Sequence, residues 1–144
     1  MEKINVPELL DGSIAGMNYL MDRGYEIIII TNQYLIGEGI ISMEQYQIFS
    51  DKLERMLNEH GIVILDTFYC PHARSEACDC CKPGTGLIRK ALRKYPSIDL
   101  ASSLMCGDSV CDRKCAEKMG IPFYGINLGE RSIRNLSELR NRIK

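Results

Sequence analysis

The sequence is poor in histidine, with two, and contains neither an apolar run long enough to cross a membrane nor an amino-terminal stretch of the secretory kind. Two histidines exclude a histidine-rich metal store. Neither sign of charge is in excess: 18 Lys and Arg stand against 19 Asp and Glu, interspersed, for a formal net charge of −1. That balance excludes a nucleic-acid footprint and a polybasic membrane patch. No linker, internal repeat or low-complexity tract interrupts the chain. Cysteine is not scarce, but its count of seven is odd. In a chain too long to depend on bridges, that reads as a reduced, cytoplasmic setting. With 144 residues and 45% hydrophobic content the chain can bury one core, so residues 1–144 are expected to form a single domain.

The pattern alternates helix and strand. Asp11 is placed to cap a helix over Ser13–Arg23, with Ile14, Met17, Tyr19 and Leu20 on its apolar side and Gly24 as the stop. Glu26–Thr31 contains the unbroken run Ile27–Ile30, which is how a strand covered on both faces reads. Ser42-Met-Glu-Gln45 is a capping box opening a helix to about His60, closed by Gly61. A strand over Ile62–Phe68 follows, then helices over Thr85–Lys94 and Val110–Met119, strands over Ser103–Cys106 and Phe123–Ile126, and a last helix over Ser137–Ile143. Strands separated by helices predict an α/β, Rossmann-like parallel sheet flanked by helices.

Residues 70–82 read Cys-Pro-His-Ala-Arg-Ser-Glu-Ala-Cys-Asp-Cys-Cys-Lys. Cys70, His72, Cys78 and Cys80 offer three thiolates and one imidazole on a short loop, 70–81. Zinc takes four such ligands in a closed tetrahedron. Four protein ligands leave no position for water, so the site would be structural. Cys81, next to Cys80, could take its place, and the bland alternative is a cluster of reduced thiols beside a surface histidine.

In parallel sheets the working residues lie at the carboxyl ends of the strands. Thr31-Asn32-Gln33 follows the isoleucine strand, Lys82 ends the metal loop, and Gly107-Asp108-Ser109-Val110-Cys111-Asp112 follows the Ser103–Cys106 strand. Hydroxyl, amide and ammonium donors suit phosphate oxygens, and the carboxylates of Asp108 and Asp112 suit Mg²⁺, a hard cation. Taken singly each has an ordinary reading: Thr-Asn-Gln as a turn, Gly-Asp as a helix cap, Asp112 as a solvated helical side chain.

The order of these motifs resembles the haloacid dehalogenase superfamily, in the branch of D,D-heptose 1,7-bisphosphate phosphatase and histidinol-phosphate phosphatase. The resemblance covers nearly the whole chain, and the metal-loop string through Cys80, Lys82 and Pro83 is specific to that branch. It implies a Mg²⁺-dependent phosphatase of small phosphorylated metabolites, in carbohydrate metabolism. It implies that Thr31, Asn32 and Gln33 bind the phosphoryl group and that Lys82 neutralises charge. Asp108 would bind Mg²⁺ with Asp112 in support, and the zinc loop would shape the substrate entrance. The superfamily attacks phosphorus with the first aspartate of an Asp-x-Asp-Gly-Thr motif on its first strand. This sequence has no such motif; at Leu9-Leu10-Asp11-Gly12-Ser13 the nucleophile position is Leu9. The resemblance thus implies a chain beginning some two dozen residues after the usual start, without the first central strand. Cys81 stands where the family commonly has Arg, and Tyr34-Leu35 where it commonly has Ser-Gly.

Three readings follow. The first is a phosphatase lacking its nucleophile and inactive alone, its missing strand met by homodimerisation or strand complementation. The second is a non-catalytic, zinc-stabilised α/β module binding a phosphorylated ligand or a partner. The third is a thiol-redox protein built on Cys106, Cys111 and Cys115.

Overall fold

The computed structural model describes residues 12–72, 78, 82 and 84–143, residues 34 and 35 by their backbone alone. The first helix, α1 (Ser13–Asp22), has Gly12 at its N-cap in a left-handed conformation with φ of 83°; Asp11, the expected cap, lies outside the described residues. A side chain at Gly12 would run into Asn135, whose amide oxygen caps the 3₁₀ helix Leu136–Asn141. That 3₁₀ helix replaces the α-helix expected at the carboxyl end and packs along α1.

Strand β1 (Ile27–Asn32) is followed by a four-residue helix, α2 (Tyr34–Gly37), which the sequence pattern did not suggest. Helix α3 (Met43–Glu59) opens on the expected capping box: Ser42 Oγ accepts from the Gln45 N–H at 2.9 Å, and Gln45 Oε1 accepts from the Ser42 N–H at 2.8 Å. Strand β2 (Ile64–Cys70) runs two residues later than expected at both ends, so it carries Cys70 itself. Helix α4 (Gly86–Lys94), strand β3 (Met105–Gly107), helix α5 (Val110–Met119) and strand β4 (Phe123–Gly125) complete the alternation. Gly120, with φ of 69°, ends α5 as a left-handed cap.

Among the described residues both strand pairings are parallel, as expected, and they fall in two pieces: β1 with β2 over six residues, and β3 with β4 over three. The core is divided the same way. Leu57, Ile62 and Ile64 pack under β1 with Ile14, Met17 and Met21 of α1. Phe68, Cys70, Leu87 and Ala91 cover its other face, with Ile28 and Ile30. Leu20, Ile133, Leu139 and Ile143 pack against Leu104 and Cys106 of β3. Helix α1 is amphipathic toward both pieces, with Met17 and Met21 on one and Leu20 on the other, and so bridges them.

Candidate active site

The carboxyl ends of β1 and β3 meet at Lys82. Its ammonium donates to the carbonyl of Ile30 on β1 at 3.1 Å and lies 2.5 Å from Asp112 Oδ1 on the first turn of α5. The two side chains are 12% and 10% exposed. Oδ1 makes no directed hydrogen bond, so the contact is an ion pair, strengthened by its water-poor surroundings. Asp112 is therefore buried and paired, which corrects its reading as a solvated helical side chain. Gly107 makes the position available. A Cβ there would stand 2.7 Å from Asp112 Cγ and 2.8 Å from its Cβ, so only glycine lets the carboxylate fold back over the end of β3. Ser109, not Gly107-Asp108, caps α5, accepting from the Asp112 N–H at 3.1 Å.

Asn32 holds the other end of Lys82. Its Oδ1 accepts from the Lys82 N–H at 2.9 Å and its Nδ2 donates to the Lys82 carbonyl at 3.3 Å. This two-point clamp ties the end of the metal loop to β1. Next to it, Gln33 Nε2 donates to Thr31 Oγ1 at 3.0 Å. A hydroxyl that accepts from an amide keeps its own proton to offer an anion. Asp108 sits exposed in the turn just after β3, at the end of the strand where Asp112 lies.

Beside this mouth, Cys70 Sγ lies 3.2 Å from His72 Nδ1 and 3.5 Å from Cys78 Sγ, and the three ligand atoms all fall within 4.8 Å of one another. Zinc–sulfur and zinc–nitrogen bonds of about 2.3 and 2.0 Å place tetrahedral ligand atoms about 3.5–3.8 Å apart, so the three fit a tetrahedral ion. Cys80, the expected fourth ligand, and Cys81 lie outside the described residues. Strand pairing carries this cluster to the phosphate-suited residues: Cys70 is in register with Asn32, and its carbonyl accepts from the Gln33 N–H at 2.8 Å.

The thiols of the third reading are Cys106, Cys111 and Cys115. Burial pushes the Cys106 thiol up to about 12, and burial also raises that of Cys115. Cys111 is exposed while Cys115 is buried and points at the Gly84 carbonyl. High thiol pKa values leave little thiolate to react.

The family model for polynucleotide kinase 3 phosphatase matches residues 9–125. A D-glycero-alpha-D-manno-heptose-1,7-bisphosphate 7-phosphatase of Photorhabdus laumondii is 43% identical over 129 residues, covering 85% of this chain and 70% of that protein. A D-glycero-D-manno-heptose-1,7-bisphosphate 7-phosphatase of Thermoplasma acidophilum is 38% identical over 117 residues, covering 81% and 72%. The chain belongs to the haloacid dehalogenase superfamily, in its heptose-bisphosphate phosphatase branch. Among solved structures, the D,D-heptose 1,7-bisphosphate phosphatase of B. bronchiseptica, complexed with magnesium and phosphate, superposes with a TM-score of 0.86 at 25% identity, covering 98% of this chain and 88% of that one. A HAD-like protein of Mesorhizobium loti superposes at 0.81 with 18% identity, covering 92% and 68%, which bears on the fold alone.

In this chain Asn32 at the end of β1, Lys82, and Asp112 beyond β3 come together, with Lys82 as the contact between the two sides. One participant was missed by sequence reasoning, the Ile30 carbonyl, which no side-chain pattern can announce; Gly107 was named with its motif, but not for the room it leaves Asp112. Among the described residues no helix is long and apolar enough to cross a membrane.

Proposed function

We propose that this chain is the phosphate- and Mg²⁺-binding body of a phosphatase for a small phosphorylated sugar, with a heptose 1,7-bisphosphate as the substrate best supported. The observation that carries this is the Lys82 ammonium, fixed by Asn32 from behind and set between the Ile30 carbonyl and Asp112 at the strand ends. The names and magnesium–phosphate complex of the relatives support the substrate class. In this reading Thr31 and Gln33 donate to phosphate oxygens, and Lys82 balances the charge that gathers on them. Asn32 orients Lys82 and does not itself touch substrate. Asp108 and Asp112 are the oxygen ligands offered to Mg²⁺, which when bound neutralises charge on the transferring group. Zinc held by Cys70, His72, Cys78 and Cys80 would crosslink the loop at the entrance.

In the near match Leu9–Ser13 the nucleophile position holds Leu9, not an aspartate. Positioning and charge balance without an attacking carboxylate give no covalent route. The chain on its own therefore binds phosphate with Mg²⁺ and turns over negligibly. Titration of inorganic phosphate by calorimetry, with and without Mg²⁺, tests the binding half. Saturable binding that weakens at least about tenfold in Lys82→Ala and in Asp108→Asn is expected, a loss of about 1.4 kcal/mol or more. Release of phosphate from heptose bisphosphate or histidinol phosphate tests the other half. Hydrolysis at ordinary enzymatic rates, abolished by Asp11→Asn, would mean that Leu9–Ser13 does hold the nucleophile. The second reading, a zinc-stabilised module that engages a partner without turnover, is favoured by the same missing Asp-x-Asp pair. Zinc content near one equivalent with no phosphate binding would select it.

A further inference from the structure

Side chains along β1 divide between its two faces. Ile28 and Ile30 pack with Phe68 and Leu87 toward α4, while Ile27 and Ile29 pack with Leu57 toward α3. Alternation puts Asn32 on the α4 face and Thr31 on the α3 face. Parallel register carries each face on to β2: Asn32 pairs with Cys70, and Thr31 with Tyr69. In-register neighbours share a face, on strands about 4.8 Å apart. The α4 face is the charged one, with Asn32 clamped on Lys82 beside the cluster of Cys70, His72 and Cys78. The α3 face carries neutral donors: Thr31, with Gln33 bonded to it, and Tyr69. Tyr69 is fixed at its ring and loosely engaged at its tip. The ring centroid lies 4.7 Å from that of Tyr46, tilted by 46°, and Tyr46 is buried on α3. The hydroxyl donates to Met43 Sδ at 3.2 Å. A thioether is a weak acceptor on a flexible side chain, and Met43 is 44% exposed. A ligand oxygen can therefore take that hydroxyl over at little cost.

We propose that Tyr69 is a specificity-determining residue, holding the neutral sugar part of a sugar phosphate whose phosphoryl group Thr31 receives. On binding, Tyr69 Oη leaves Met43 Sδ for a hydroxyl of the sugar, and the ring lies along the sugar's C–H surface. A second phosphoryl group fits this position poorly. Thr31, Gln33, Tyr46 and Met43 around it carry no positive charge, and Glu44 in the first turn of α3 has the wrong sign for an anion. A sugar brings hydroxyls together with apolar C–H groups, and a tyrosine offers a polar tip on an apolar ring. Tyr46 holds the ring in place, so little freedom is lost when a ligand settles on it. Resting as it does on phosphate binding at Thr31, this role adds the side chain that tells a sugar phosphate from phosphate alone.

Calorimetry on the 144-residue chain with Mg²⁺ compares heptose 1,7-bisphosphate with inorganic phosphate. Tyr69→Phe should weaken the bisphosphate about five- to tenfold and leave inorganic phosphate within about twofold. In protein carrying ¹³C-methyl methionine, the Met43 methyl signal should move with the bisphosphate and hold still with inorganic phosphate. Met43→Leu removes the competing acceptor and should bind the bisphosphate at least as tightly as the unaltered chain. The role is overturned if Tyr69→Phe weakens both ligands alike or neither, if the Met43 signal ignores the bisphosphate, or if Met43→Leu binds it more weakly. Should Tyr69→Phe fail to unfold cooperatively in urea, the Met43 signal and Met43→Leu decide. An unaltered chain that binds neither ligand removes the phosphate reading and this role with it. A chain that binds inorganic phosphate while the bisphosphate gains nothing from Tyr69 removes this role alone.

Discussion

The β1–β2 half and the β3–β4 half differ in how they are held and in what they contribute. The first has six paired residues, long flanking helices on both faces, and the donor groups: Thr31, Asn32, Gln33 and, through its clamp, Lys82. The second has three paired residues, leans on α1 and the 3₁₀ helix Leu136–Asn141, and contributes the carboxylates Asp108 and Asp112. The site thus lies between the two halves, with neither holding all of it. Where it closes, one ion pair between Lys82 and Asp112 and one weak bond from Cys115 to the Gly84 carbonyl tie the second half to the first. Charge complementarity stands where a shared backbone ladder is absent among the described residues.

The comparison breaks most visibly on the metal side. If Cys70, His72 and Cys78 hold zinc with Cys80, the ion stabilises the first half alone, because Cys70 belongs to β2. Structural zinc is worth about 10–16 kcal/mol apparent in small peptides. Chelation is expected to expose the amides of Thr31–Gln33 and residues 70–82 to hydrogen exchange at once, leaving those of β4 and the Leu136–Asn141 helix slower to change. Less than about half an equivalent of metal in protein purified without added zinc would remove the premise.

Cutting the tie comes next. Lys82→Ala leaves a buried carboxylate unpaired and should cost about 3 kcal/mol in urea unfolding. Lys82→Met with Asp112→Leu removes both charges and should recover most of that loss, since a buried pair seldom outweighs a well-packed apolar one. A double variant as unstable as the single would mean that Lys82 acts through its stem and not its charge.

Both halves were legible in sequence: α5 and β4 of the second begin where expected, at Val110 and Phe123, while β2 of the first runs two residues late. An unbroken Ile27–Ile30 run and a Ser42–Gln45 capping box are local signals, and both elements appear where those residues place them. The carboxyl-terminal 3₁₀ helix was read only as a helix, because Asn135, which caps it, meets Gly12 from the other end of the chain. The grouping of Cys70 with His72 and the place of Lys82 at the strand ends follow residues whose side-chain chemistry stands out in the sequence. Burial of Asp112 was not, because it depends on the missing Cβ of Gly107 and on a lysine thirty residues away.

Gly107→Ala probes the second half without touching a charge. The added methyl would press on Asp112 Cγ and Cβ and push the carboxylate off Lys82. Overpacking of this kind costs about 1–3 kcal/mol. The informative comparison is with Lys82→Ala: the two losses should be far from additive, because both act through one ion pair. Full additivity would show that Gly107 is needed for its own packing.

The smallest effect anchors the first half. Asp66 on β2 accepts from Lys94 Nζ at 2.5 Å and from Tyr95 Oη at 2.8 Å, pinning the end of α4, while Thr67 N–H donates to its other oxygen at 2.8 Å. The Lys94 hydrogen bond above all, with Tyr95 and Thr67 behind it, holds the Asp66 carboxyl below the ordinary carboxylate range. A depressed carboxyl contributes stability that is fully present above its unfolded pKa of about 3.9 and fades as pH falls through the lower folded value. Lys94 is exposed, so solvent and salt screen the pair, and Asp66→Asn should lower stability at pH 7 by less than about 1 kcal/mol. Urea unfolding of both proteins at about pH 7, 5 and 3 should show a constant gap from pH 7 to 5 that closes toward pH 3. Added salt should narrow it at pH 7. A gap that stays open at low pH would mean that Asp66 supports α4 through its neutral hydrogen bonds, and the first half would then lean on packing alone.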